Sequence, residues 1–122
     1  MRDLVKTLKA LSDETRLRIL ALLLERECCV CEVMQVLQIS QTRASRNLNI
    51  LYDAGLLKQR KEGLWSLYSI DREEMNKHFA VLVQAVGEAI KDNATISLDR
   101  EKLRNAERVG PACVQQTKQR SP

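Results

Sequence analysis

Apolar residues recur at helical spacing through the first half of the chain. Leu4, Val5, Leu8 and Leu11 lie one helical turn apart and predict a helix over about 2–10. Ser12-Asp13-Glu14 then offers a cap and an acidic first turn. The second helix runs over about 13–25, with Leu17, Leu20, Ala21 and Leu24 as its buried stripe. Val33, Val36 and Leu37 predict a short third helix, about 30–37, which Ile39-Ser40 interrupts. Ser40 can cap a fourth helix over about 41–54, burying Ala44, Leu48 and Leu51. Gln41, Thr42, Ser45, Arg46 and Asn49 fall on its other face. Gly55 suits the position just past that helix, where a left-handed backbone is needed.

Beyond Gly55 the period changes. Leu56 to Lys61 and Leu64 to Ile70 are short runs with β-branched or aromatic residues, separated by Glu62-Gly63, and predict a β-hairpin with Tyr68 and Ile70 inward. Asp71 to Asp92 returns to helix, where Met75, Phe79, Leu82, Val86 and Ile90 make a long apolar stripe. Such a face on the last major helix of a small chain suggests a partner surface. A short polar helix is expected within 97–108, then Gly110-Pro111 and a polar, partly disordered tail. The chain thus divides into a domain over 1–94 and a polar C-terminal extension over 95–122.

Composition narrows the class. At 122 residues and 44% hydrophobic content the chain is one globular domain and not a disordered one. No apolar run approaches a membrane span, and the N-terminus lacks an export signal, so a cytoplasmic protein without membrane contact is expected. Four aromatic residues are too few for stacking single-stranded bases. The lone histidine, His78, excludes a multi-histidine metal site. The charge excess of +4 is local: Arg43, Arg46, Lys58, Arg60 and Lys61 face only Asp53 within 40–61, and the remaining charges cancel. That footprint points to a polyanion such as DNA.

Three of the four cysteines, Cys28, Cys29 and Cys31, lie within four residues; the fourth is Cys113. Without export, a disulfide framework is not expected, and adjacent Cys28 and Cys29 would make a strained one. The cluster reads as a thiolate site for a soft ion.

A short helix, a tight turn, a second helix with a polar start and a basic hairpin follow the order of a winged helix-turn-helix. The fold class expected is mainly α with a small β-hairpin wing. The major groove admits one helix, whose N-terminal part reads base edges. Ser40, Gln41, Thr42, Arg43, Ser45, Arg46 and Asn49 would lie there, and Lys58, Arg60 and Lys61 on the wing would reach phosphates.

At this level of detail the chain resembles the ArsR/SmtB family of metalloregulatory repressors, most of all its arsenic-sensing branch. The resemblance covers about 4–92 and rests on four stretches. They are Leu11-Ser12-Asp13-Glu14-Thr15-Arg16-Leu17-Arg18-Ile19-Leu20, Glu27-Cys28-Cys29-Val30-Cys31-Glu32, Ser40 through Leu48, and the wing from Gly55 to Tyr68. It implies a non-enzymatic repressor of an arsenic-resistance operon, bound to double-stranded operator DNA until As(III) or Sb(III) binds. No organic cofactor is implied. It also implies a homodimer joined by the first and last helices, here through Leu4, Leu8, Met75, Phe79, Leu82, Val86 and Ile90.

The chain departs from the arsenic-sensing pattern at one point. Cys29-Val30-Cys31 matches, but the expected third cysteine is Met34, a poorer donor. Cys28 and Cys113 are the candidates for the third ligand, and Cys28 is favoured by proximity. Positions i and i+2 of a helix point about 200° apart, so Cys29 and Cys31 cannot both grip one ion in a regular helix, whereas Cys28 and Cys31, at i and i+3, can lie on one side; gathering all three thiolates is expected to distort the start of the third helix. Cadmium or lead, which also accept thiolates, are alternative inducers. A thiol oxidoreductase or arsenate reductase would fit the spacing of Cys28 and Cys31, but no βαβ pattern surrounds them.

Overall fold

The computed structural model describes residues 1–108. The chain runs α1 (Arg2–Leu11), α2 (Glu14–Glu25), β1 (Cys28–Cys29), α3 (Val30–Leu37), α4 (Gln41–Asp53), β2 (Leu57–Glu62), β3 (Trp65–Ile70), α5 (Lys77–Ile90) and α6 (Ala94–Asn105). α2 is the hub: Ile19 through Leu23 are all buried, so every side of the helix is covered. It touches each of the other five helices and β3. Leu20 and Leu22 share one core with Val33, Val36, Leu48, Leu51 and Leu56.

Local chemistry sets the boundaries. The Asp13 carboxylate accepts from the Arg16 N–H at 3.0 Å and starts α2. Ser40 starts α4 in the same way, its hydroxyl accepting from the Arg43 N–H at 3.1 Å. Between α3 and α4, Gln38 turns the chain at φ 56°, a left-handed conformation that makes the turn tight. Gly55 ends the α4 region at φ +83°, as the sequence pattern requires.

The sheet is antiparallel in the order β1-β3-β2, with Cys29 opposite Leu67 and Leu67 opposite Arg60. Neighbours across a ladder point to the same face, and successive residues to opposite faces. Cys28, Leu57, Tyr68 and Ile70 therefore enter the main core. Cys29 and Leu67 lie on the other face with Cys31, and Trp65 packs against them.

Three expectations change. The last major helix begins at Lys77, because Asp71 accepts from the Glu74 N–H in a separate turn and Asn76 provides the cap. Cys28–Cys29 form a strand that periodicity did not reveal. The boundary expected after residue 94 falls in the first turn of α6, which packs on α2 and α3 through Ile96, Asp99 and Leu103. Asp99 is only 1% exposed and holds Arg18 by two hydrogen bonds of 2.7 and 2.9 Å.

Candidate nucleic-acid interface and thiol site

The α3–turn–α4 unit presents a polar face to solvent. Gln41, Thr42, Arg43, Arg46 and Asn49 are exposed and Ser45 is half-buried. Gln41 Nε2 donates to Ser45 Oγ at 3.4 Å, and Arg43 donates to Thr15 Oγ1 of α2 at 3.3 Å. Ser40 is exposed too, with its hydroxyl engaged in the cap. Behind this face sits Asn47, which the sequence pattern did not single out. It is buried, donates to the Arg43 carbonyl at 3.0 Å and accepts from Arg16 at 3.1 Å. The same guanidinium donates to the carbonyls of Ala10 and Lys9, so Arg16 ties the end of α1 to α4.

The wing is less uniform than its charges suggest. Lys58 and Lys61 are exposed, and Lys61 donates to Ser66 Oγ at 2.7 Å. Arg60, expected on a phosphate, instead makes a bidentate pair with Glu27 at 2.9 and 2.7 Å and reaches Glu62 at 3.0 Å. Alternation along β2 puts Lys58 and Lys61 on opposite faces of the hairpin.

The thiols divide. Cys29 is the N-cap of α3, with extended backbone (φ −88°, ψ 168°), and Cys31 lies in the first turn. Their sulfurs meet at 2.7 Å with both side chains buried. The expected obstacle thus disappears: one member of the pair lies outside the helix, so the two thiols converge without unwinding it. Cys28, favoured as third ligand, points the other way, into the main core, with its thiol 3.4 Å from the Arg26 carbonyl. Among the described residues no three His, Cys, Asp or Glu side chains converge to hold a metal. Cys113 lies outside the described residues. Among the described residues, Cys29 and Cys31 are the two thiols brought together.

Glu32 organises this corner and was also missed. It is 2% exposed, yet its carboxylate accepts from the Cys29 N–H at 2.9 Å and pairs with Arg26 and Arg108. Burial works to raise its pKa, but these partners outweigh burial and hold it below the usual carboxylate value. Burial, then the Glu32 charge, pushes the Cys28 thiol up to about 12. The Cys29 thiol is raised first by its hydrogen bond with Cys31, then by burial. Both shifts favour the neutral thiol over the thiolate. A Glu three residues after the residue that caps a helix is the capping-box signal that could have found Glu32.

The apolar surface expected between protomers is partly accounted for within one. Met75 is buried in the protomer's own core, and Phe79, Leu82 and Val86 pack half-buried against it. Ile90 is half-buried. Leu4 and Leu8 are each 45% exposed, and Val81, outside the expected stripe, is 68% exposed.

A short helix, a left-handed turn, an exposed helix with a polar and basic face and an antiparallel hairpin define a winged helix-turn-helix DNA-binding protein. Residues 13–59 match the family described as bacterial regulatory protein, arsR family. The arsenical resistance operon repressor of Bacillus subtilis is 36% identical over 77 residues, 62% of this chain and 73% of that one. The chain belongs to the arsR family. A cadmium resistance transcriptional regulatory protein CadC homologue from Staphylococcus aureus is 43% identical over 76 residues, 62% of this chain and 63% of its own length. The homodimeric winged helix-turn-helix DNA-binding domain of a Mycobacterium bovis protein superposes with a TM-score of 0.63 at 29% identity, over 76% of this chain and 82% of that one. No described helix is long and apolar enough to cross a membrane. The sheet beside the cysteines is antiparallel, whereas a thiol-oxidoreductase Cys-x-x-Cys usually accompanies a parallel βαβ unit.

Proposed function

We propose that this protein is a homodimeric, cytoplasmic repressor of an arsenic-resistance operon, released from its operator when As(III) or Sb(III) is taken by Cys29 and Cys31. The observation that carries this reading is the buried sulfur pair at 2.7 Å at the N-terminus of α3. Two soft donors are already gathered there, one helix away from the helix that faces DNA. α3 and α4 share one core through Val33, Val36, Leu48 and Leu51, so a change at the start of α3 bears on the seat of α4. A coupling of about 1–3 kcal/mol weakens DNA binding about 5–150-fold. A reducing cytoplasm keeps the thiols free for capture.

A trivalent metalloid takes three donors, so a third thiolate joins the pair. That Cys28 faces the opposite side of the sheet favours Cys113 or a small-molecule thiol as this third donor. Cadmium or lead as inducer is the second reading, favoured by the similarity to the cadmium-named relative.

The test is a gel shift on the gene's own upstream DNA with arsenite, antimonite, cadmium, lead or zinc. Arsenite and antimonite are expected to release the wild type. Cys29→Ser and Cys31→Ser should bind DNA normally and stay bound, because a hydroxyl is a hard donor that does not ionise near neutral pH. Release by cadmium or lead alone selects the second reading. Release of either variant at the wild-type arsenite concentration contradicts the ligand assignment.

A further inference from the structure

The thiol pair and the wing belong to one sheet. Cys29, Leu67 and Arg60 lie side by side across β1, β3 and β2, and neighbours in such a row share a face. Leu67 and Trp65, both on β3, are the apolar residues packed against the two sulfurs. Glu27, two residues before Cys29, reaches over the same face and grips Arg60 with both carboxylate oxygens, at 2.9 and 2.7 Å. The Arg60 guanidinium is held by carboxylates on two sides, since Glu62 lies 3.0 Å away. The segment that bears the ligands is therefore fastened to the wing twice, by backbone pairing and by a bidentate ion pair.

We propose that Glu27 is a positioning residue: through Arg60 it links the thiol-bearing segment to the wing, so that occupancy of Cys29 and Cys31 changes how the wing meets DNA. The inference rests on the metalloid-released repressor reading. It adds a route through the wing to the one through α3 and α4. Any shift of Cys29 moves Glu27 and Leu67 with it, and both act directly on the hairpin. Arg60 serves as the receiving end of this link, and Lys58 and Lys61 remain for phosphates.

The experiment compares full-length wild type, Glu27→Gln and Glu62→Gln. Arsenite uptake is followed by the fluorescence of Trp65, the single tryptophan, and by the loss of titratable thiols. DNA affinity is measured with and without arsenite. Wild type should take up arsenite and release DNA; failure of either step defeats the repressor reading before any variant is compared. Glu27→Gln should take up arsenite at the wild-type midpoint and bind DNA without arsenite at least as tightly. Its arsenite-induced loss of affinity should shrink about threefold or more. Glu62→Gln removes a carboxylate from the same guanidinium but leaves the link to the ligand segment, and should release as wild type does. Undiminished release by Glu27→Gln overturns the proposal. So does weakened arsenite uptake by that variant, which would place Glu27 in the binding site itself. An equal loss in Glu62→Gln also overturns it, because the effect is then one of wing charge.

Discussion

At Glu32 a buried carboxylate is surrounded by the Cys29 N–H, Arg26 and Arg108. Replacing it with glutamine keeps the shape but removes the charge from a site built around it. The two arginines are partly exposed and can be rehydrated, so the expected cost is about 2 kcal/mol, less than the roughly 3–5 kcal/mol of a fully buried pair that is broken. Urea denaturation at pH 7 measures it. The pH dependence has a definite sign. The folded pKa lies below the unfolded one, so the stabilisation is fully present above the ordinary glutamate value of 4.5. It is lost as pH falls through the lower folded value, and the gap between wild type and Glu32→Gln should close in that acid range. Cys28 makes a contrasting case. Its thiol, pushed up to about 12 and turned into the core, should react with iodoacetamide far more slowly than an exposed cysteine at pH 8. Cys28→Ser should leave arsenite release intact, and Cys113→Ser distinguishes a tail ligand from an added thiol.

Among the elements, those with their own periodicity and caps were legible. α1 to α4 match the apolar spacing of Leu4 to Leu51 within a residue or two, and Asp13 and Ser40 cap where expected. The hairpin followed from the change of period at Gly55 and the turn at Gly63, which adopts φ +63°. β1 was not legible because a two-residue strand has no period; β3 alone makes it a strand. The opposed directions of Cys28 and Cys29, and hence the meeting of Cys29 with Cys31 alone, follow from that pairing and were hidden with it. The contact of Asp99 with Arg18 spans 81 positions and leaves no local mark. Its consequence is testable: Asp99→Ala should destabilise the protein by about 2 kcal/mol, since Arg18 is only partly exposed and loses two charged hydrogen bonds. Thermal melting should show one cooperative transition shifted down, because α6 shares the α2 core rather than forming a separate unit.

For the whole molecule, charge and apolar surface point to two different partners. Leu4, Val5 and Leu8 on α1 and Val81 on α5 are among the exposed apolar side chains, and the proposed homodimer would bury them. Leu8→Glu combined with Val81→Glu should shift sedimentation from dimer to monomer at micromolar concentration and abolish binding to a two-half-site operator. An unshifted dimer would move the interface elsewhere. On the DNA side, Lys58→Ala and Lys61→Ala should each flatten the plot of log affinity against log salt by about one unit for every phosphate left without its lysine. Gln41→Ala and Arg46→Ala should instead relax sequence preference, because base contacts specify and phosphate contacts position.

The two-residue strand also has a mechanical consequence. β1 grips β3 at Leu67 and Tyr68, so the rest of the hairpin, out to Gly63, projects from that grip like an arm. Four residues at about 3.3 Å each make an arm of roughly 13 Å. A tilt of about 10° at the fulcrum sweeps the tip through about 2 Å, which separates a lysine from a phosphate oxygen it had been touching. On the proposed reading, an ion taken by Cys29 and Cys31 at the short end of such a lever would need little movement of its own to clear the wing from the DNA backbone.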